Sequence, residues 1–405
     1  MGIFDAAIIG AGAAGIAAAR QLVAAGRRVA VLEARGRVGG RAVVDRSLGA
    51  PADLGAAWLH FARANAFTAL ADEGGFGVLR RDPGWGTAAW IGGREPTPAE
   101  KAAANASYQR YQGLIDAAAM QGRDVALSEV LPQDDYRPRF DAVMTWAVGA
   151  ESHEVSTLDL HRYADSEDNW AVREGLGAVV EYAARGLPVT LGAEVLAVDW
   201  SGEAVRVEST AGNVQASAVI VTVPTGVLAS GAIRFTPALP RAYEEAFANL
   251  PLGVVNKVFF RIERGRLAQM PSRHFLGATG TSRTCSWFVH AADQPLLMAY
   301  FGGDLSRELE QRGELAQFAR EELARIFGAG VLDEIGATVA TAWGADPHAL
   351  GSYSAARPGH ADCRTQLATP LSPRLQFAGE AASVNYYGTL HGAWLSGIEA
   401  AGRLL

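Results

Sequence analysis

Ala6-Ala7-Ile8-Ile9-Gly10-Ala11-Gly12-Ala13-Ala14-Gly15 opens the chain after five residues. Four apolar residues run into a GxGxxG spacing, and an alanine-rich segment over 13–25 follows, closed by Gly26. The pattern predicts a buried strand, a glycine turn and a helix. Arg28-Val29-Ala30-Val31-Leu32-Glu33 then reads as a second strand, which completes a βαβ unit. Gly10 permits the tight turn, Gly12 lets backbone approach a pyrophosphate, and Gly15 lets the helix pack close to the strand. The helix N-terminus, with Ala14 in its first turn, faces the phosphate charge. Glu33 ends the second strand about 20 residues on, where an acid accepts hydrogen bonds from a ribose hydroxyl. An acid there disfavours a 2′-phosphate and argues against NADP. The set predicts a Rossmann-type dinucleotide site and does not by itself choose FAD over NAD.

Working outward, Glu33-Ala34-Arg35-Gly36-Arg37-Val38-Gly39-Gly40-Arg41 carries three arginines and three glycines directly after the acid. Such glycines admit backbone close to a ligand, and guanidinium groups pair with phosphate oxygens. Helical stretches follow at 98–120 and 178–185, and strand-like runs at 189–191, 195–200, 205–208 and 218–223. Residues 254–262 are another β-rich run. Residues 314–327 read as a helix ending at Gly328, 375–377 as the last strand, and the segment from Gly388 as the last helix. A dinucleotide site at the start with a strand and helix at the end points to one domain built from separated segments. The expected fold class is α/β: a Rossmann-type dinucleotide domain from 1–63, 176–245 and 340–405, interleaved with an α+β substrate-binding domain from 64–175 and 246–339. Residues 84–93 are the most loop-like stretch.

The length of 405 residues is too great for one small core. Hydrophobic residues at 49% and charged residues at 20% are ordinary for a globular chain. A net charge of −7 argues against a nucleic-acid binder, which would show a basic surface. The two cysteines, Cys285 and Cys363, lack metal-type spacing and fit a reducing compartment. No secretion signal and no apolar run of membrane length is visible. His153, His161 and His290 have no ligand-like arrangement with acids or cysteines, so no metal is expected. The expectation is a soluble cytoplasmic protein, a monomer or homodimer, with neither nucleic acid nor membrane as a partner.

Further blocks span the chain: Asp53-Leu54-Gly55-Ala56-Ala57-Trp58-Leu59-His60, VIVTVPTGVL at 219–228, Asn256-Lys257, Phe377-Ala378-Gly379-Glu380 and His391-Gly392-Ala393-Trp394-Leu395-Ser396-Gly397. With GAGAAG and LEARGRVGGR, this set resembles the flavin amine oxidase family, which includes monoamine oxidases, polyamine oxidases, L-amino acid oxidases and lysine-specific histone demethylases. Only residues from about 64 to 175 match poorly, where the family builds its substrate pocket. The resemblance implies FAD as the cofactor. It implies that Glu33 holds the adenosine ribose, that Arg35 and Arg41 line the adenosine and pyrophosphate, and that Val195 touches the adenine through its backbone. Ala56, Ala57 and Trp58 would pass close to the isoalloxazine ring, and Glu380 would contact the ribityl-pyrophosphate part. Thr389 and Leu390 would present backbone N–H groups to the pyrimidine end of the ring, with Trp343 a further cofactor contact. The physics of the last helix agrees: Leu390, Trp394, Ile398 and Ala401 form an apolar stripe, and a positive helix start suits the negative charge that a reduced flavin gains.

Lys257 lies among apolar neighbours in Val254-Val255-Asn256-Lys257-Val258-Phe259-Phe260. The residues alone allow an edge-strand lysine facing solvent or a buried lysine with a purpose. The resemblance implies that it holds a water beside flavin N5 and promotes reaction with dioxygen. His60 reads either as structural or as a neutral imidazole that accepts from an amine or relays its proton. Aromatic side chains can flank an amine; Trp58, Trp343, Tyr353, Tyr386 and Tyr387 are candidates, with Tyr353 and Tyr387 expected at the substrate beside His60. Monoamine oxidases carry a tyrosine where Thr389 stands, and a cysteine that anchors FAD where Ser352 precedes Tyr353. The second departure predicts non-covalent FAD. Asp165, Glu167 and Asp168 read as a solvated acidic face or as a site for a distal ammonium.

The expected function is an FAD-dependent amine oxidase. Hydride passes from the amine α-carbon to flavin N5, dioxygen reoxidises the flavin to give hydrogen peroxide, and the imine hydrolyses. A polyamine or other alkylamine is the expected substrate. The alternatives are an oxidase of an amino acid or cyclic amine, a desaturase-type flavoenzyme, and a flavin-binding protein without turnover. A carboxylate substrate would need a pocket arginine, for which Arg162 and Arg173 are the candidates.

Overall fold

The computed structural model describes residues 3–81, 94–166 and 168–405. Residues 84–93 and Glu167, singled out above, lie outside the described residues.

The opening βαβ unit forms as its periodicity predicts. Phe4–Ile9 pairs in parallel with Val29–Glu33 on one side and with Gly212–Val221 on the other. The sheet continues outward through Val205–Ser209, Val195–Asp199 and Arg234–Thr236 at one edge and Val189–Leu191 at the other, while Leu375–Phe377 pairs with Gly212–Val221. Gly212–Val221 is longer than the apolar run at 218–223. Its first half is mostly exposed and pairs antiparallel with Val205–Ser209; in its second half Ala218–Val221 are all buried and run parallel to Phe4–Ile9. A strand buried on both faces reads as continuous apolar sequence and a half-exposed one as alternation, so only the second half was conspicuous.

Helices Ala13–Ala24 and Leu390–Gly402 pack together at close range. A Cβ added to Gly397 would fall 2.1 Å from the Ala14 carbonyl oxygen. The last helix starts at Leu390 rather than at Gly388, because Gly388 is left-handed (φ +67°) and the extended Thr389 caps the helix by accepting from Gly392 N–H. Helix Ala66–Glu73, expected in the second domain, buries Phe67, Leu70 and Ala71 against Ile16, Ala17, Val179 and Trp394.

The second sheet has five antiparallel strands in the order Arg273–Leu276, Ser286–Val289, Leu296–Gly302, Val255–Ile262, Ile335–Ala340. Alternation divides its side chains. Val258, Phe260, Ala299, Phe301 and Trp287 face helices Gly303–Arg312 and Leu315–Phe327. Phe259, Met298 and Phe288 face the segment that carries Leu48, Leu54 and Trp58. Lys257 and Tyr300 belong to this second face and are paired residues on adjacent strands.

The poorly matched middle segment is tied to the rest by a buried ion pair. Asp159 in helix Thr157–Arg162 and Arg364 in helix Cys363–Ala368 are 1% and 0% exposed, with Nε–Oδ1 at 2.6 Å and Nη2–Oδ2 at 2.8 Å. Removing one partner leaves the other charge buried and unpaired. Asp159→Leu is therefore expected to lower stability by about 3–5 kcal/mol, read from the denaturant midpoint. A midpoint equal to the parent's would contradict the role given to this pair.

Candidate active site

A cleft opens at the C-terminal ends of the central strands of the first sheet, where doubly wound sheets bind ligands. Its walls include Gly10, Gly12, Ala14, Glu33, Arg35, Arg41, Val195, Glu380, Thr389 and Leu390 from the first sheet and its connections, and Lys257, Tyr300, Trp343 and Tyr353 from the other side. Ala56, Ala57, Trp58 and His60 line it as well.

Gly12 has φ −80° and ψ −173°, an extended conformation open to any residue. A Cβ placed on it meets nothing nearer than Gly40 Cα at 4.0 Å. Neither the backbone nor the packing requires glycine there, and the space it leaves belongs to the cleft. Gly15 differs: its added Cβ would sit 1.9 Å from the Gly10 carbonyl oxygen, and it is not among the cleft walls, so its task is close packing. Helix Ala13–Ala24 has no side-chain cap, and its first intrahelical bond comes from Ile16 N–H to Gly12 O at 2.9 Å. The N–H groups before it remain open to an anion. Glu33 is buried, with Ala11 N–H on Oε2 at 2.7 Å and Arg35 N–H on Oε1 at 2.9 Å. Each oxygen keeps a lone pair for a hydroxyl. A glycine cradle, uncapped helix amides and an acid one strand over fit the pyrophosphate and ribose of FAD.

The arginines after Glu33 are mostly engaged within the chain. Arg35 pairs with Asp346 at 2.6 Å. Arg41 donates through Nη1 to Ser352 O at 2.6 Å and to Glu380 Oε1 at 3.0 Å. Arg37 is not among the cleft walls; burial and then Arg35 lower its pKa. Burial pushes the Glu380 carboxyl up, but Arg41 and Arg364 outweigh it, and the group lies below its ordinary range. Glu380 also accepts from Ser354 Oγ at 2.7 Å and Gly388 N–H at 2.9 Å.

Lys257 sits on an inner strand of the second sheet, so the edge-strand reading does not apply. Its Nζ donates to Asp53 O at 2.9 Å and Gly55 O at 2.6 Å, and Trp343 Nε1 donates to the carbonyl between them, Leu54 O, at 3.1 Å. Three consecutive carbonyls of the strap that leads to Trp58 are thus held by Lys257 and Trp343. An ammonium has three donors, so one remains beyond these two bonds. Burial lowers the Lys257 pKa to about 8, against the opposing pull of Asp53. Asp53 is raised to about 6 by burial, opposed by the N–H groups of Leu176 and Gly177 and then by Lys257. Asn256 points to the opposite face and accepts from Thr341 Oγ1 at 2.8 Å and Trp343 N–H at 3.0 Å. It thereby fixes Trp343.

His60 pairs across the register with Asn169, and its Nδ1 meets Asn169 Oδ1. An amide oxygen only accepts, so this partner assigns the hydrogen to Nδ1 and leaves Nε2 as an acceptor. Burial lowers the His60 pKa against the raising effects of Asn169 and Asp165, which favours the neutral ring. Tyr353 lines the cleft. Thr389, itself a cleft wall where monoamine oxidases carry a tyrosine, uses its hydroxyl to donate to Tyr386 O and to accept from Gly392 N–H. Among the described residues the N–H groups of Leu390 and His391 have no partner in the chain, so the helix start offers donors.

Tyr387 corrects an expectation. It is buried away from the cleft walls, its ring lies 3.7 Å from the Arg364 guanidinium, and its hydroxyl donates to Asp159 O at 3.1 Å. The buried ion pair claims it. Tyr386 packs against Phe61 and His391 instead. Asp168 pairs with Arg63, Arg162 with Asp362 and Arg173 with Asp293, and Asp165 is exposed. Tyr300, a cleft wall, and Asn169 and Asn256, which hold His60 and Trp343, were not read from the sequence as site residues, although Asn256 lay inside a quoted block. Among the described residues no group of three or more His, Cys, Asp or Glu side chains is placed to hold a metal ion, and no helix is long and apolar enough to cross a membrane.

This fold and cleft define a flavoprotein in which a lysine reaches the cleft from the five-stranded sheet. The chain belongs to the family described as flavin containing amine oxidoreductase, which matches over residues 13–144 and 140–405. It is an FAD-dependent amine oxidase, as the resemblance implied. It is similar to Polyamine oxidase 4 of Oryza sativa subsp. japonica, 30% identical over 97% of this chain and 87% of that protein. Polyamine oxidase 2 of Arabidopsis thaliana is 30% identical over 97% of this chain and 86% of its own length. Lysine-specific histone demethylase 1 homolog 2 of Arabidopsis thaliana is also 30% identical, over 98% of this chain and 58% of that protein. A triple mutant of putrescine oxidase with redesigned cofactor binding shares the fold at a TM-score of 0.82 and 23% identity, with 98% of each chain covered.

Proposed function

We propose that the chain oxidises an aliphatic di- or polyamine at a carbon beside nitrogen, with dioxygen as acceptor, giving hydrogen peroxide and an imine that hydrolyses. The observation that carries this reading is one cleft lined both by His60, whose Nε2 is left as an acceptor, and by a buried Lys257. Extended similarity to two polyamine oxidases supports the substrate class. FAD, when bound, takes the hydride and passes the electrons on.

The chain's own groups do the rest. Open amides of helix Ala13–Ala24 and the Gly12 cradle take the pyrophosphate, and Glu33 takes the ribose. His60 Nε2 removes the ammonium proton, so that a neutral amine is left from which a hydride can depart. Lys257, buried at the cleft wall, supplies positive charge that favours the negative charge dioxygen acquires. FAD is held non-covalently in this reading: Ser352 Oγ donates to Val255 O at 2.7 Å and accepts from Val255 N–H at 2.9 Å, and neither Cys285 nor Cys363 lines the cleft. The two free cysteines support a cytoplasmic setting.

Anaerobic bleaching of the bound flavin tests the reading. Spermidine and putrescine are expected to reduce it faster than amino acids do. Reduction by amino acids alone would move the assignment to the amino acid alternative.

A further inference from the structure

We infer that Tyr300 is a specificity-determining residue whose phenol oxygen accepts an N–H from a second nitrogen of the substrate. The inference rests on the di- or polyamine reading and names the group that selects for it.

The direction of a short hydrogen-bond chain carries it. The Tyr353 hydroxyl meets the Trp146 carbonyl, which can only accept, so Tyr353 commits its single hydrogen there. The Tyr300 and Tyr353 hydroxyls are 3.0 Å apart. With the Tyr353 hydrogen already placed, that bond is donated by Tyr300. Tyr300 then has no hydrogen left, and its oxygen retains a lone pair. Both tyrosines line the cleft. Burial pushes the Tyr300 pKa to about 12 and that of Tyr353 well above the ordinary range, so both hydroxyls keep their hydrogens at neutral pH.

The position of Tyr300 is set by the sheet. It is paired with Lys257 on the neighbouring strand, and Lys257 Nζ lies 5.8 Å from its ring centroid. His60 approaches from the strap of the first domain, Tyr300 from the second sheet. Each presents an acceptor and no donor. A ligand rich in N–H groups satisfies both, whereas a carboxylate would set lone pairs against lone pairs, which is costly in a buried site. The pair therefore selects amines with more than one nitrogen over amino acids.

Tyr300→Phe keeps the ring and removes only the oxygen. In the FAD-loaded enzyme, kcat/KM for putrescine is expected to fall by about 10-fold, while that for butylamine, with the same carbon count and one nitrogen, changes by less than about 2-fold. Calorimetric binding of FAD to the apoprotein should be unchanged. Tyr353→Phe is the companion variant: it frees the Tyr300 hydrogen, lets the phenol donate, and should raise the ratio of 4-aminobutyrate to putrescine turnover. An equal change for putrescine and butylamine in Tyr300→Phe, or none for either, would overturn the inference while leaving the substrate reading intact. Failure of putrescine and spermidine to bleach the parent enzyme would overturn both.

Discussion

In Lys257→Met, reoxidation of the reduced enzyme by dioxygen is expected to fall by about 100-fold, the scale of losing one preorganised buried charge. Methionine keeps most of the length and apolar volume, so the second sheet should still form. What is lost is the ammonium and its bonds to Asp53 O and Gly55 O. The pH dependence gives a second readout. Burial places the Lys257 pKa at about 8, with Asp53 opposing. The charged form dominates below that value and disappears above it, so the parent's reoxidation rate should decline as pH rises through about 8. The variant should be slow and flat across the same window. Stopped-flow mixing of dithionite-reduced enzyme with dioxygen measures both. A variant as fast as the parent at pH 7 would remove Lys257 from the oxidative half of the reaction.

Gly12→Val is expected to fold and to lose FAD, with affinity weaker by at least about 100-fold, comparable to burying a phosphate group without its contacts. The extended backbone at Gly12 accepts a β-branched residue, and the nearest atom to an added Cβ is 4.0 Å away. The added Cβ therefore meets no chain atom closely, and the methyl groups are expected to extend into the cleft that Gly12 lines. Thermal melting of the apoprotein should match that of the parent apoprotein, while flavin absorbance after gel filtration should vanish. Gly15→Ala provides the contrast. Its Cβ would sit 1.9 Å from Gly10 O, so it should lower the melting temperature of the apoprotein itself. A yellow Gly12→Val protein would contradict the assignment of that space to the cofactor.

The part of the site legible in the sequence is the part built from local geometry. Gly10, Gly12 and Glu33 are set by one turn, one helix start and the neighbouring strand, all within a single βαβ unit, so spacing alone places them. Lys257 stood out because a charge in an apolar strand needs a reason, but choosing between an edge and an inner strand required the sheet order. Tyr300 was hidden for a related reason. Leu296–Gly302 is a nearly continuous apolar run, which periodicity cannot assign, and only the register sets its tyrosine beside Lys257. Tyr387 was misassigned because nothing local links Asp159 to Arg364, 205 residues apart, and that pair is what draws the ring away from the cleft. Asn169 belongs to the segment with the weakest family resemblance, and its role follows from one cross-strand pair with His60.

The most direct measurement is the flavin content of the purified chain after incubation with FAD and gel filtration. One FAD per chain, released into the supernatant when the protein is precipitated with acid, is the expected result. A colourless protein that stays colourless in excess FAD would show that the glycine cradle, Glu33 and the Lys257 strap do not form a flavin site.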